Sequence, residues 1–155
     1  PSDPVGADAY SLAGLLPGGT GRWAEGDMDD FLAKTLEHMN GLSDAQLDSM
    51  TQAFERSMKN NYLVFDRYAF RKHTSQSERR SVINIALFDV MSVKLTEYSE
   101  AYIKKHKSLI QKLFYRLMQD AEFSAAITIA TNSLARVNLR FAIIDRVFQE
   151  LPSAD

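Results

Sequence analysis

At 155 residues, 45% of them hydrophobic and 25% charged, the chain has an ordinary globular composition with room for one core. Its 18 Lys and Arg against 20 Asp and Glu give a formal net charge of -2, so no overall field draws it onto DNA or an anionic membrane, and any nucleic-acid contact must be local. The absence of cysteine excludes disulfides, thiolate nucleophiles, iron–sulfur clusters and cysteine-based zinc sites.

Residues 1–26 read PSDPVGADAYSLAGLLPGGTGRWAEG, where Gly and Pro interrupt any regular period and leave only Tyr10, Leu12, Leu15, Leu16 and Trp23 as anchors. The expectation is a flexible linker or arm followed by one domain over 27–155. The opening on Pro1 and this loop-like run together suggest a piece of a longer polypeptide. No apolar run approaches the roughly 18 residues of a membrane span, and there is no basic-then-apolar secretion signal, so a cytoplasmic protein is expected.

After Gly26 the period is helical. Asp27 caps a predicted helix over 28–39, with Asp29 and Asp30 near the positive end of its dipole and Phe31, Leu32, Leu36 and Met39 as its apolar stripe. Asn40-Gly41 stops it. Ser43-Asp-Ala-Gln46 spells a capping box, and Leu47, Met50, Phe54 and Met58 then recur at three- and four-residue steps, giving a second helix to about Asn61. Tyr62-Leu-Val-Phe65 is the one short β-prone run, and it has no partner run nearby.

Ser81 is expected to cap a third, central helix carrying Val82, Ile83, Ala86, Leu87, Val90, Met91 and Leu95 on a broad apolar face. The fourth, over 100–118, turns Ile103, Ile110, Leu113, Phe114 and Leu117 inward and Lys104, Lys105, Lys107, Lys112 and Arg116 elsewhere. Asp120 caps a fifth over 121–130, packing Phe123, Ala126, Ile127 and Ala130. Ser133 starts the last, with Leu134, Val137, Phe141, Ile144, Val147, Phe148 and Leu151 inward, and Pro152 ends it. The expected fold is all-α, a single bundle of about five to six helices behind a Gly/Pro-rich arm.

The search for chemistry is mostly negative. His38, His73 and His106 lie on different segments with no paired-histidine spacing, and each reads as a surface residue rather than a metal ligand. Pro17-Gly18-Gly19-Thr20-Gly21 lacks the lysine and following helix of a phosphate loop. The carboxylate pairs Asp29/Asp30 and Glu97/Glu100 fall at helix starts, where the dipole accounts for them, and no serine sits in a nucleophile elbow. No catalytic residue, metal or cofactor is expected on this chain.

One feature stands out mid-chain. Arg67, Arg71, Lys72, Arg79 and Arg80, with His73 among them, concentrate positive charge on a loop opening into a helix N-terminus, where side chains and free backbone N–H groups can converge on a phosphate. The competing reading is structural: Arg71 and Arg80 pair with Asp66, Glu78 or Asp89 and pin the loop to the bundle. Tyr62, Phe65, Tyr68 and Phe70 are spaced as anchors of such a loop more than as a base-stacking platform.

Val64-Phe65, Ala69-Phe70-Arg71, Arg79-Arg80, Ile83-Asn84 and Ala86-Leu87-Phe88, and more faintly Phe123, Ala126-Ile127, Arg136-Val137 and Arg140-Phe141, carry a resemblance over 41–151. Here the chain resembles the C-terminal helical part of the GmrSD-type family of prokaryotic defence proteins, whose N-terminal half is a ParB/sulfiredoxin-like domain. The resemblance implies restriction of foreign or modified DNA, with nucleotide hydrolysis coupled to a nuclease domain. The family's Asp-Gly-Gln-Gln-Arg type signature has no match here, nor does a His-Asn-His motif, so catalysis is expected in another part of the polypeptide or a partner chain. The expectation is therefore a non-catalytic helical domain that supports a catalytic one and presents the arginine loop to DNA or a nucleotide phosphate. The alternative is a helical adaptor or homodimerising module without a nucleic-acid role, supplied with adaptable methionines at Met28, Met39, Met50, Met58, Met91 and Met118.

Overall fold

The structure, a computed structural model, describes residues 37, 39–77 and 79–153. The expected arm over 1–26 and nearly all of the helix expected over 28–39 lie outside the described residues. Five α-helices follow in order: α1 Asp44–Phe65, α2 Ile85–Thr96, α3 Glu100–Gln119, α4 Ala121–Ala126 and α5 Leu134–Phe148, with a 3-10 turn at Asp66–Tyr68. The fold is all-α, as the helical periodicity requires, and no strand occurs among the described residues beyond one bridge between Arg71 and Ile83.

The helix starts follow local chemistry. The Ser43 hydroxyl accepts the Gln46 N–H while Gln46 returns a bond from its side chain to the Ser43 N–H at 2.9 Å, completing the box that opens α1. Ser99, Asp120 and Ser133 cap α3, α4 and α5 through the N–H groups of Tyr102, Phe123 and Arg136. The β-prone run Tyr62–Phe65 forms the last turn of α1, because Val64 and Phe65 there enter the core.

The core is continuous across the five helices. Leu87, Val90, Met91 and Leu95 meet Val64 and Phe65 of α1, Ile103, Ile110, Leu113, Phe114 and Leu117 of α3, Phe123 of α4 and Ile143, Ile144 and Phe148 of α5. α1 packs on α2 and α3, while α5 packs on α2, α3 and α4. Burial of the α3 residues matches the periodicity, and its lysines Lys104, Lys105, Lys107 and Lys112 are exposed.

Three expectations require correction. The central helix starts at Ile85, capped by Asn84, rather than at Ser81. Ser81 is diverted: its hydroxyl donates to the Lys72 carbonyl at 3.0 Å, and Asn84 instead accepts the Leu87 N–H at 2.9 Å. Val82 and Ile83, expected inward, are exposed in the extended segment before it. The helix over 121–130 ends at Ala126, because the Ile127 carbonyl accepts from the Asn84 amide at 2.8 Å and Ala130 takes a left-handed φ of 48°.

The third correction concerns the face of α1. Leu47 and Phe54 are exposed and Met50 and Met58 half-buried, whereas the fully buried positions are polar: Ser57, Asn60 and Asn61, followed by Val64 and Phe65. These three side chains bond the backbone of α2, Ser57 to the Ser92 carbonyl at 2.7 Å, Asn61 to that of Met91 at 3.2 Å and Asn60 to that of Leu95 at 2.7 Å. A buried polar side chain is tolerated when it is bonded, and here it fixes the register of α1 on α2.

Candidate functional site

The arginine loop runs from the end of α1 to Asn84, and aromatic packing holds its first half. After Phe65 the chain turns through left-handed backbone at Asp66 (φ 50°) and Phe70 (φ 60°), conformations that cost energy at non-glycine residues and persist because the neighbours fix them. Phe70 lies edge-on to Phe88 of α2 with centroids 4.6 Å apart, and its carbonyl accepts the Asn84 N–H at 2.8 Å. The loop is thereby tied at both ends.

His73 is the most buried residue of the loop, only 3% exposed, which corrects the surface reading of its side chain. Its ring sits among Phe65 (5.9 Å between centroids), Tyr68 (5.1 Å), Phe114 (5.0 Å) and Tyr115 (5.6 Å). Nδ1 lies 2.7 Å from the Arg71 carbonyl, which can only accept, so the proton is on Nδ1. His73 thus works as a plug between the loop and α3. His106, half-buried, lies against the Tyr102 ring at 4.4 Å, and His38 lies outside the described residues.

The five cations divide into two groups. Arg71 donates from Nη1 to the Ser81 carbonyl and Lys72 from Nζ to the Thr128 hydroxyl, so both cross-link the loop, one to its own far strand and one to the turn after α4. Arg67 sits 5.5 Å from the centroid of the Tyr68 ring, a cation–π contact at the surface. Arg79 and Arg80 are exposed. None of the five has a carboxylate at ion-pair distance among the described residues.

The acidic partners suggested for them are otherwise engaged. Asp89 receives Arg140 Nη2 at 2.7 Å, and the Asp66 carboxylate near Tyr62 holds that phenol above the ordinary tyrosine range. Glu78 lies outside the described residues. Arg140 itself is 5% exposed and also donates to the Thr131 carbonyl at 2.6 Å, so this guanidinium ties α5 to α2 and to the turn before α5. The sequence carried no sign of that pairing, since 51 residues separate its members.

Apolar side chains that the periodicity turned inward are exposed close to Arg79 and Arg80 in the chain. Val82 and Ile85 are each 82% exposed, Ile83 53% and Ile129 59%. The bonds from Asn84 to Ile127 and from Lys72 to Thr128 bring the turn carrying Ile129 to the same end of the bundle. The signal was the run Val82-Ile-Asn-Ile-Ala-Leu87: a helix start cannot turn so many consecutive apolar side chains toward one core.

Among the described residues no group of three or more His, Cys, Asp or Glu side chains could hold a metal ion, and no helix is long and apolar enough to cross a membrane. The α3 surface carries an open depression of about 330 Å³ lined by Ser108, Gln111, Lys112, Tyr115, Arg116 and Gln119, in which Arg116 is committed to Glu150 through two bonds of 2.7 Å. No protein-family model, curated protein or solved structure matches the chain.

Proposed function

We propose that the chain is a non-catalytic helical domain of a cytoplasmic restriction or phage-defence protein, which supports a catalytic domain or subunit by direct protein contact. The resemblance of the 64–88 region to the C-terminal part of GmrSD-type proteins gives the context. The observation that supports the contact is the exposed stretch over 79–85, where Arg79 and Arg80 are followed in the chain by exposed Val82, Ile83 and Ile85, with exposed Ile129 two residues past the Ile127 carbonyl that Asn84 bonds. Several exposed aliphatic side chains close together in the chain, next to cations, fit a surface that another macromolecule covers.

Protein support is favoured over nucleic-acid binding for this surface because Arg71 and Lys72 are engaged within the fold, and a phosphate-binding site has no use for four aliphatic side chains. Turnover assays test the reading. The purified chain, given ATP or GTP with duplex DNA, is expected to release no phosphate and cut no strand. A rate abolished by one substitution within this chain would overturn it.

A further inference from the structure

We infer that the surface formed by Val82, Ile83, Ile85 and Ile129 with Arg79 and Arg80 is a docking site for an acidic amphipathic protein segment, one with an apolar ridge flanked by carboxylates; this deepens the proposal above and rests on it. The apolar part follows from exposure. Ile83 and Ile85 flank the cap residue Asn84, with Val82 one position further back, so their positions are set by a bonded backbone: Asn84 holds the Leu87 N–H, the Phe70 carbonyl and the Ile127 carbonyl. A preformed ridge loses little conformational entropy when covered.

The acidic part follows from charge complementarity. Arg79 and Arg80 are exposed and have no carboxylate partner among the described residues. Carboxylates delivered by a partner would pair with these two guanidiniums. A duplex would meet the same two arginines but leave the aliphatic side chains in water, and a lysine-bearing segment would be repelled.

The test uses the full chain and two labelled synthetic helices, one with leucine on one face and glutamate on the other, the second with lysine replacing glutamate, measured by fluorescence anisotropy. The glutamate peptide is expected to bind saturably, and the lysine peptide at least about tenfold more weakly. Val82→Ser with Ile85→Ser should cut the affinity for the glutamate peptide about tenfold or more, because the covered aliphatic area is lost. Arg79→Glu with Arg80→Glu should invert the preference. These residues lie outside the core, and an unchanged thermal melt certifies that the variants fold. Equal binding of the two peptides, no binding of either, or displacement of the glutamate peptide by duplex DNA or phosphatidylserine vesicles at lower concentration than by unlabelled peptide would overturn the inference. None of those outcomes touches the non-catalytic reading, which only turnover would sink.

Discussion

Asn60 of α1 donates one side-chain amide hydrogen to the Leu95 carbonyl at 2.7 Å and the other to that of Tyr98 at 2.8 Å. The Leu95 carbonyl lies in the last turn of α2, where a helix has no donors of its own to offer, and that of Tyr98 in the short link to α3. Asn60 therefore acts as a cap supplied by another helix, with no exposure to water. Asn60→Ala is expected to lower unfolding free energy by roughly 2–4 kcal/mol, because two buried acceptors lose their donor. Urea titration measures it, and an unchanged midpoint would mean that water replaces the amide.

The Asp89–Arg140 pair predicts a different pattern. Removing one member of a buried ion pair leaves the other desolvated, so Arg140→Met should cost roughly 3–5 kcal/mol, while Arg140→Met with Asp89→Leu should recover part of that loss. A double-mutant cycle by chemical denaturation checks the coupling, and strictly additive losses would show that the two groups act independently.

Stability should fail on the alkaline side. Burial opposes the charge on Lys94, but its hydrogen bonds to the Glu97 and Asp145 carboxylates outweigh it and raise the ammonium above its ordinary 10.5. Burial likewise raises the phenols of Tyr98 and Tyr102, stacked at 4.9 Å, above 10.0. A raised folded value means the contribution is whole below the unfolded value and disappears as pH climbs through the folded one. Urea midpoints should hold steady up to about pH 9 and fall beyond 10, and Tyr98→Phe should make that fall shallower. An equal fall in the variant would exclude the phenol.

Asn84→Ala should cost about 2 kcal/mol, combining a lost N-cap with a lost bond to Ile127, whereas Val82→Ser and Ile85→Ser should each change stability by less than about 0.5 kcal/mol. Thermal denaturation of the three variants side by side reads the contrast. A large loss from Val82→Ser would place that side chain in the core.

What was legible in the sequence was what local chemistry decides. Ser43 with Gln46, Asp120 and Ser133 start helices because a cap needs only its own next three residues. The inward faces of α2 and α3 followed from spacing alone. What escaped notice depends on the partner across the core. Ser81 and Asn84 are both good caps, and tertiary bonds from Lys72, Phe70 and Ile127 chose between them. Ser57, Asn60 and Asn61 carry no apolar signal, and only the backbone of α2 lying against them makes them a buried face, while His73 reads as surface until the four aromatic rings close around it. For the loop cations, the sequence placed all five together; which ones cross-link the fold was decided by carbonyls and a hydroxyl that no charge pattern reveals.

Full burial along α1 begins at Ser57, so among the described residues a 22-residue rod about 33 Å long is gripped firmly at its C-terminal end and only partly covered before it. One continuous helix then lives under two regimes. Amide protons in its opening turns are expected to exchange through local fraying, and those after Ser57 to be better protected, which native-state hydrogen exchange measures.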